Sequence, residues 1–375
     1  MKHIIKRVAC VLFISICIIN TYRMFFMYNK PIPDLSGQIK SSSANNNQCW
    51  QGDYYIYHKY NNLFTFPYIF GTRMYLCSVN DDSKYLIHKQ LKPLTELLGN
   101  TVFFGNHVLD VGGVALDMPS DNILITLNHD SDVINLDCSY YYAFTKKGIL
   151  YIGEERDDKS DSLIGYNLYC YDTKKCRNKI ICEVAEWDEL RFVVHDKVFI
   201  SNEDEDAYIY NLNTREKKIV DYSYLPAYII EKNESEFFGI FDNGDIWEYD
   251  TDSLNRRYIC TLNNISLDDS WDISAGYING DLYIINQQGE IVKIYVEDQR
   301  QESLISIEDV PNHNNLSSWR SPDVFFCDSN IVYIAHYKQF CWLGKFLFED
   351  EDYYTKSNIF TFDYDGNLIK KEGSM

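Results

Sequence analysis

Along most of this chain, apolar and polar positions alternate in short runs that polar turns interrupt. The clearest run is Tyr208, Ile209, Tyr210, Asn211, Leu212, then the turn Asn213-Thr214-Arg215 and a second run from Glu216 to Val220. A period of two marks half-buried strands, because successive side chains point to opposite faces of a pleated sheet. Similar phrases recur at Ile246 to Cys260 and at Glu290 to Leu304, and no long amphipathic helical pattern competes with them. The pattern predicts an all-β body. Abundant Tyr (31) and Phe (21) point the same way, since aromatic side chains suit a pleated surface.

One unit reads in full. Asp272 to Tyr277 forms a first strand, Asn279-Gly280 a tight hairpin turn, and Asp281 to Ile285 a second strand. Gln287 to Gly289 turns again, Glu290 to Val296 follows as a third strand, and Gln301 to Ile305 as a fourth. Two more units run from Tyr228 to Leu262 and from Leu190 to Val220. The turn after each third strand recurs at Asp81, Asp130, Thr173, Thr214, Thr251, Glu297 and Asp365. The last interval is stretched by an aromatic and acidic insertion near Tyr337 to Lys356. A lone four-stranded sheet cannot hide its apolar side chains, whereas sheets stacked radially bury both faces.

Phrases such as Asn243-Gly244-Asp245-Ile246-Trp247 and Asp363-Tyr364-Asp365-Gly366-Asn367-Leu368 resemble those of the broad β-propeller superfamily. The resemblance runs from Asp53 to the C-terminus and implies seven blades, or six if the weaker units between Asp53 and Cys138 count as one. An elongated β-solenoid is the alternative, although its coils are usually shorter and more regular. The Trp-Asp pairs lack the Gly-His partner of the WD40 kind, and Gly112-Gly113 does not recur as a kelch signature would.

The N-terminus departs from this pattern. Lys2, Lys6 and Arg7 precede an apolar run from Val8 to Ile19, extended by Tyr22 and by Met24 to Tyr28. That is the outline of a secretory n-region and h-region, and it predicts an apolar helix over residues 1–30. No Ala-x-Ala site follows, so an uncleaved signal anchor is expected ahead of a cleaved signal peptide. The polar stretch of residues 31–52, with Ser41 to Asn47 at its centre, reads as a linker to a propeller domain over 53–375. The expected location is therefore outside the cytosol, either membrane-anchored or secreted.

The chain carries 35 basic and 55 acidic residues. Residues 1–40 hold six of the former and only Asp34 of the latter, which leaves 29 against 54 and a net of -25 beyond them. So acidic a body repels phosphate backbones, which argues against nucleic acid as a partner. Cys170, Cys176 and Cys182 are spaced by six, unlike the close pairs of zinc sites. Export would permit a local disulfide among them; simple thiols are the alternative.

Candidate chemistry centres on the approach to each first strand. Trp187, Trp271 and Trp319, followed by Asp188, Asp272 and Arg320, stand ten residues before Lys197, Asp281 and Ser329 at the first hairpin of their units, and Tyr224, ten before Glu234, fills the same place in another unit. Repeated aromatics beside charges at a channel rim can stack on sugars, peptides or cations. Packing between neighbouring blades is the plainer use of such rings. Acidic clusters at Glu154-Glu155, Asp157-Asp158, Glu203 to Asp206 and Glu349 to Asp352 read as solvated turns, because no EF-hand glycine and distal Glu accompany them. No Gly-x-Ser-x-Gly elbow, His-Glu-x-x-His or phosphate-binding loop occurs, and nothing calls for a cofactor or a metal. Asn233, Asn264 and Asn315 lie in Asn-x-Ser sequons, relevant to a eukaryotic secretory route alone. The sequence thus points to an exported, membrane-associated binding module for a protein or glycan. A secreted glycan-active enzyme with carboxylates in the channel is the alternative.

Overall fold

The computed structural model describes residues 15, 32–35, 49–60, 72–81, 83–90, 100–111, 122–127, 134–136, 142–145, 148–157, 160, 162–202, 206–262, 274–286, 288–316, 322–338 and 355–372. Among these, 28 strands form seven antiparallel sheets, each built from four strands consecutive in the chain. The first sheet contains β1 (Trp50–Gln51), β2 (Tyr54–Tyr60), β3 (Thr72–Ser78) and β4 (Lys84–Gln90). The second contains β5 (Asn100–Phe104), β6 (His107–Val111), β7 (Asn122–Thr126) and β8 (Ile134–Leu136). The third contains β9 (Tyr142–Thr145), β10 (Gly148–Arg156), β11 (Leu163–Asp172) and β12 (Arg177–Val184). The fourth contains β13 (Glu189–Val194), β14 (Lys197–Ser201), β15 (Asp206–Asn211) and β16 (Lys217–Asp221). In the fifth lie β17 (Tyr228–Glu231), β18 (Glu236–Ile240), β19 (Asp245–Asp250) and β20 (Arg256–Thr261). In the sixth lie β21 (Ala275–Ile278), β22 (Asp281–Ile285), β23 (Ile291–Tyr295) and β24 (Arg300–Ile305). The seventh closes the series with β25 (Asp323–Phe326), β26 (Ile331–Lys338), β27 (Thr355–Phe362) and β28 (Leu368–Glu372).

Turn chemistry explains why the chain reverses where it does. Asp172, Asn211 and Asp250 each end a third strand, and each side chain accepts the backbone N–H groups two and three residues on, at 2.7–3.2 Å. Such Asx turns hold the reversal locally. Asn279 and Gly280 have φ of 53° and 95°, the left-handed pair that a two-residue hairpin demands. Third-to-fourth-strand turns expected at Asp81, Thr173, Thr214, Thr251, Glu297 and Asp365 all fall in those connections; Asp130 lies outside the described residues.

Burial falls from the inner strands outward. The second strands β14, β18 and β22 are buried at four of five positions, whereas the fourth strand β16 is exposed at four of five. That gradient follows from radial stacking, with apolar clusters joining sheets one and two, three and four, four and five, and five and six. A further cluster runs through sheets six, seven and one, so the first sheet packs on the last. This contact sets the last sheet against the first and excludes an open-ended solenoid. Because each sheet keeps its own four strands, side chains and turns carry the closure. Tyr55 stacks on Phe325 at 5.3 Å, and the Trp50 ring lies 6.0 Å from it. Lys84 pairs with Glu372 at 2.7 Å, and the Asp328 N–H donates to the Gly52 carbonyl at 3.0 Å.

Leu35 is buried between sheets one and two; its N–H donates to Asn106 Oδ1 at 2.6 Å, and its carbonyl accepts from Gln51 Nε2 at 3.2 Å. The expected N-terminal helix lies outside the described residues, apart from Ser15. Among the described residues no helix is long and apolar enough to cross a membrane.

The expected disulfide is a correction. No disulfide links Cys170, Cys176 and Cys182. Their spacing puts Cys170 on β11 and Cys182 on β12, facing the core between sheets three and four, and leaves Cys176 in the exposed turn between them. There Cys176 sits at a φ of 49°, with Sγ 3.8 Å from the Thr173 carbonyl.

Candidate functional site

Strand direction sorts the connections onto two ends of the ring. Odd-to-even connections form one end, including the two-residue turns Gly52-Asp53, Gly105-Asn106, His195-Asp196 and Asn279-Gly280. Neighbouring turns join there across sheets: Lys197 pairs with Asp252 at 2.6 Å, and His195 Nε2 lies 3.1 Å from the Asn233 carbonyl. Even-to-odd connections form the other end, which includes every crossover from an outermost strand to the next innermost one. Of the seven expected site residues, the three that are described, Trp187, Asp188 and Tyr224, belong to two of these crossovers. Loops on a rigid scaffold are where binding residues concentrate.

The crossover from β12 to β13 carries Trp187 and Asp188. Trp187 is 61% exposed, while its neighbour Asp188 is 8% exposed. One Asp188 oxygen accepts the Ala185 N–H at 2.8 Å and the Tyr208 hydroxyl at 2.7 Å. Burial pushes the Tyr208 phenol far up, and the hydrogen bond to Asp188 adds to that rise. Lys217 Nζ sits 3.4 Å from the centre of the Tyr208 ring. Asp188 is therefore a fastener, and the tryptophan beside it stands on a pinned turn.

The crossover from β16 to β17 carries Tyr224, and its environment differs. The Arg256 guanidinium lies 4.3 Å from the Tyr224 ring and 4.6 Å from the Trp247 ring, a cation held between two aromatic faces. Trp247 in turn meets Tyr258 edge-on at 5.2 Å. Tyr249 donates its hydroxyl to the Tyr224 carbonyl at 3.2 Å. The chain then dives inward, since Leu225 is buried and a Cβ at Gly239 would come within 2.8 Å of the Pro226 ring. Tyr224, 40% exposed, thus lies against the flank of sheet five. Trp271, Asp272, Trp319 and Arg320 lie outside the described residues.

Three features were not foreseen from sequence. His336 on β26 is enclosed, with Nδ1 2.9 Å from Ser357 Oγ and Nε2 3.0 Å from Asp323 Oδ2. The order Ser–His–Asp imitates a hydrolase, but here the buried imidazole ties three adjacent strands together. Glu248, also buried, accepts from Lys232 at 2.5 Å and from Arg257 at 2.8 Å, so its charge is compensated twice. Leu163 and Ile164 are exposed at the crossover end of the third sheet. Partners separated by an insertion, as His336 and Ser357 are, leave no signal of spacing to read. Among the described residues no group of three or more His, Cys, Asp or Glu is placed to hold a metal ion.

These sheets, their radial packing and their closure settle the architecture. The chain is a β-propeller. No family model matches its sequence, and no curated protein does. Solved structures are similar in fold. A prolyl endopeptidase shares 11% identity at a TM-score of 0.55, over 91% of this chain and 52% of the other, so this chain spans about half its length. The propeller domain of the trilobed protease from Pyrococcus furiosus, which has an open velcro topology, shares 12% identity at a TM-score of 0.49, over 88% of this chain and 95% of that one. An oligogalacturonate lyase in complex with manganese shares 12% at 0.49, over 86% and 90%. Likeness at this identity concerns the fold alone.

Proposed function

We propose that this propeller is an interaction module that takes a protein or glycan partner at its crossover end, and that the N-terminal segment holds it to a membrane outside the cytosol. One observation carries the binding part of this reading. Trp187 is mostly exposed although it adjoins Asp188, whose two hydrogen bonds fix the turn. A large aromatic on a pinned turn loses little conformational entropy on binding, which is why such rings serve as anchors at interfaces. The basic flank and apolar run at the N-terminus support the membrane part.

Glycan-array and pull-down measurements on the full chain, with Trp187→Ala and Trp271→Ala beside it, test the reading. Loss of the captured partner in both variants supports it. Capture that ignores both substitutions contradicts the crossover end as the site. Turnover of a polysaccharide, abolished by replacing a single Asp or Glu, would make the protein an enzyme instead.

A further inference from the structure

The third sheet departs from the others in the length of its middle hairpin. β9 pairs with β10 over Gly148 to Tyr151, and β12 pairs with β11 from Asp172 back to Tyr166. Beyond those limits β10 and β11 continue to pair with each other, as far as Arg156 and Leu163. Among the described residues the result is a two-stranded ribbon that outruns its sheet at the crossover end. A Cβ added at Gly165, beside the tip, would meet nothing within 4 Å. The tip carries Leu163 and Ile164, 44% and 61% exposed, and the crossover that leaves the same sheet carries the exposed Trp187.

Apolar side chains left this exposed gain only part of the burial that a core would give them. Exposed apolar groups gathered in one place mark a contact surface. Around them the charge is one-sided: Glu154, Glu183 and Glu186 are exposed there, and Arg156 is already ion-paired with Glu154 at 2.7 Å. Tyr166, next to the tip on β11, pairs with Val184, three residues before Trp187, which sets the two parts on one end of the sheet.

From this geometry we infer that the β10–β11 ribbon and Trp187 dock a polypeptide segment presenting an apolar side chain flanked by Lys or Arg. The inference rests on the binding-module reading and names its partner's chemistry. Carboxylates at the rim match basic flanks, and the aliphatic tip matches the apolar side chain. An anionic membrane would meet the same carboxylates and be repelled. A second copy of this chain would set one acidic rim against another.

The test uses the full-length chain and two labelled synthetic peptides, one of alternating Leu and Lys and one of alternating Leu and Glu, with binding read by fluorescence anisotropy. The Leu-Lys peptide is expected to bind. Ile164→Ser and Trp187→Ala are each expected to weaken it about tenfold, as interface anchors do. Ile219→Ser, at an 82% exposed position on β16, should leave affinity unchanged, and circular dichroism checks that all three variants fold. Glu186→Lys should weaken binding and flatten its salt dependence. Equal binding of the Leu-Glu peptide, or Leu-Lys binding indifferent to Ile164→Ser and Trp187→Ala, overturns the inference. A doubled solution mass that Ile164→Ser abolishes overturns it in favour of self-association. Capture of a glycan that depends on Trp187 and not on Ile164 defeats this inference and leaves the binding-module reading standing. Failure of both the peptide and the glycan arms defeats the two together.

Discussion

Ser329 donates both its N–H and its hydroxyl to the Asp53 carboxylate, at 2.8 and 2.7 Å, across 276 residues of sequence. The same carboxylate accepts from Asn80 Nδ2 at 2.8 Å. Asp53 therefore ties the turn that opens the last sheet to two turns of the first. Replacing it with Ala is expected to cost about 1–3 kcal/mol, the range for removing a shared acceptor in a partly solvated site. A lower urea midpoint with an unchanged slope is the expected readout.

Beneath that polar tie, Phe325 fills the seam between Trp50 and Tyr55. Phe325→Ala should cost about 3–5 kcal/mol, the usual loss for emptying a buried aromatic site. In a double-mutant cycle, Trp50→Ala and Phe325→Ala should be non-additive by about 0.5–1.5 kcal/mol, because the two rings touch. Strict additivity would separate the first sheet from the last.

The seam also has a pH signature. Burial alone would raise the Glu372 carboxyl, but hydrogen bonds from Lys370 and Lys84, with their charges, hold it below its ordinary range. A folded-state value below the unfolded one contributes stability that is present above the unfolded pKa and is lost as pH falls through the folded value. Stability should therefore drop below about pH 4, the ordinary carboxylate region. Glu372→Gln should flatten that part of the profile and leave the neutral-to-alkaline arm in place.

Two glycines with left-handed backbone should respond differently to the same change. A Cβ at Gly148, where φ is 144°, would lie 2.0 Å from the Tyr171 carbonyl oxygen, whereas Gly280, where φ is 95°, has open space. Gly280→Ala should cost about 1 kcal/mol from backbone strain alone. Gly148→Ala must also move β11, and a distinctly larger loss in thermal melting is expected.

Strands and turns were legible in the sequence because their causes are local. Asp172, Asn211 and Asp250 close their own turns, and Asn279-Gly280 supplies the backbone that its hairpin needs. The closure was not legible, for Trp50 and Phe325 meet only once every sheet between them has formed. At the candidate site, counting ten residues back from Lys197 and from Glu234 aligned Trp187 with Tyr224. It could not foresee that Pro226 against Gly239 draws the second crossover inward, where Arg256 covers the Tyr224 ring. Asp188 read as a partner for ligand, and its oxygen is spent on Ala185 and Tyr208. The ribbon tip at Leu163 and Ile164 went unread because alternation marks a strand but not whether a neighbouring strand covers it.

A covalent trap at the seam tests the closed ring most directly. With Asp53→Cys and Ser329→Cys in one chain, mild oxidation followed by mass spectrometry of the cleaved peptides reports whether the two positions meet. An intramolecular 53–329 bond is expected in monomeric protein, and it should make the oxidised variant more stable than its own reduced form by about 5 kcal/mol, from closing so long a loop. Failure to form that bond in the folded monomer, or its formation solely between two molecules, would contradict a ring in which the first sheet packs on the last.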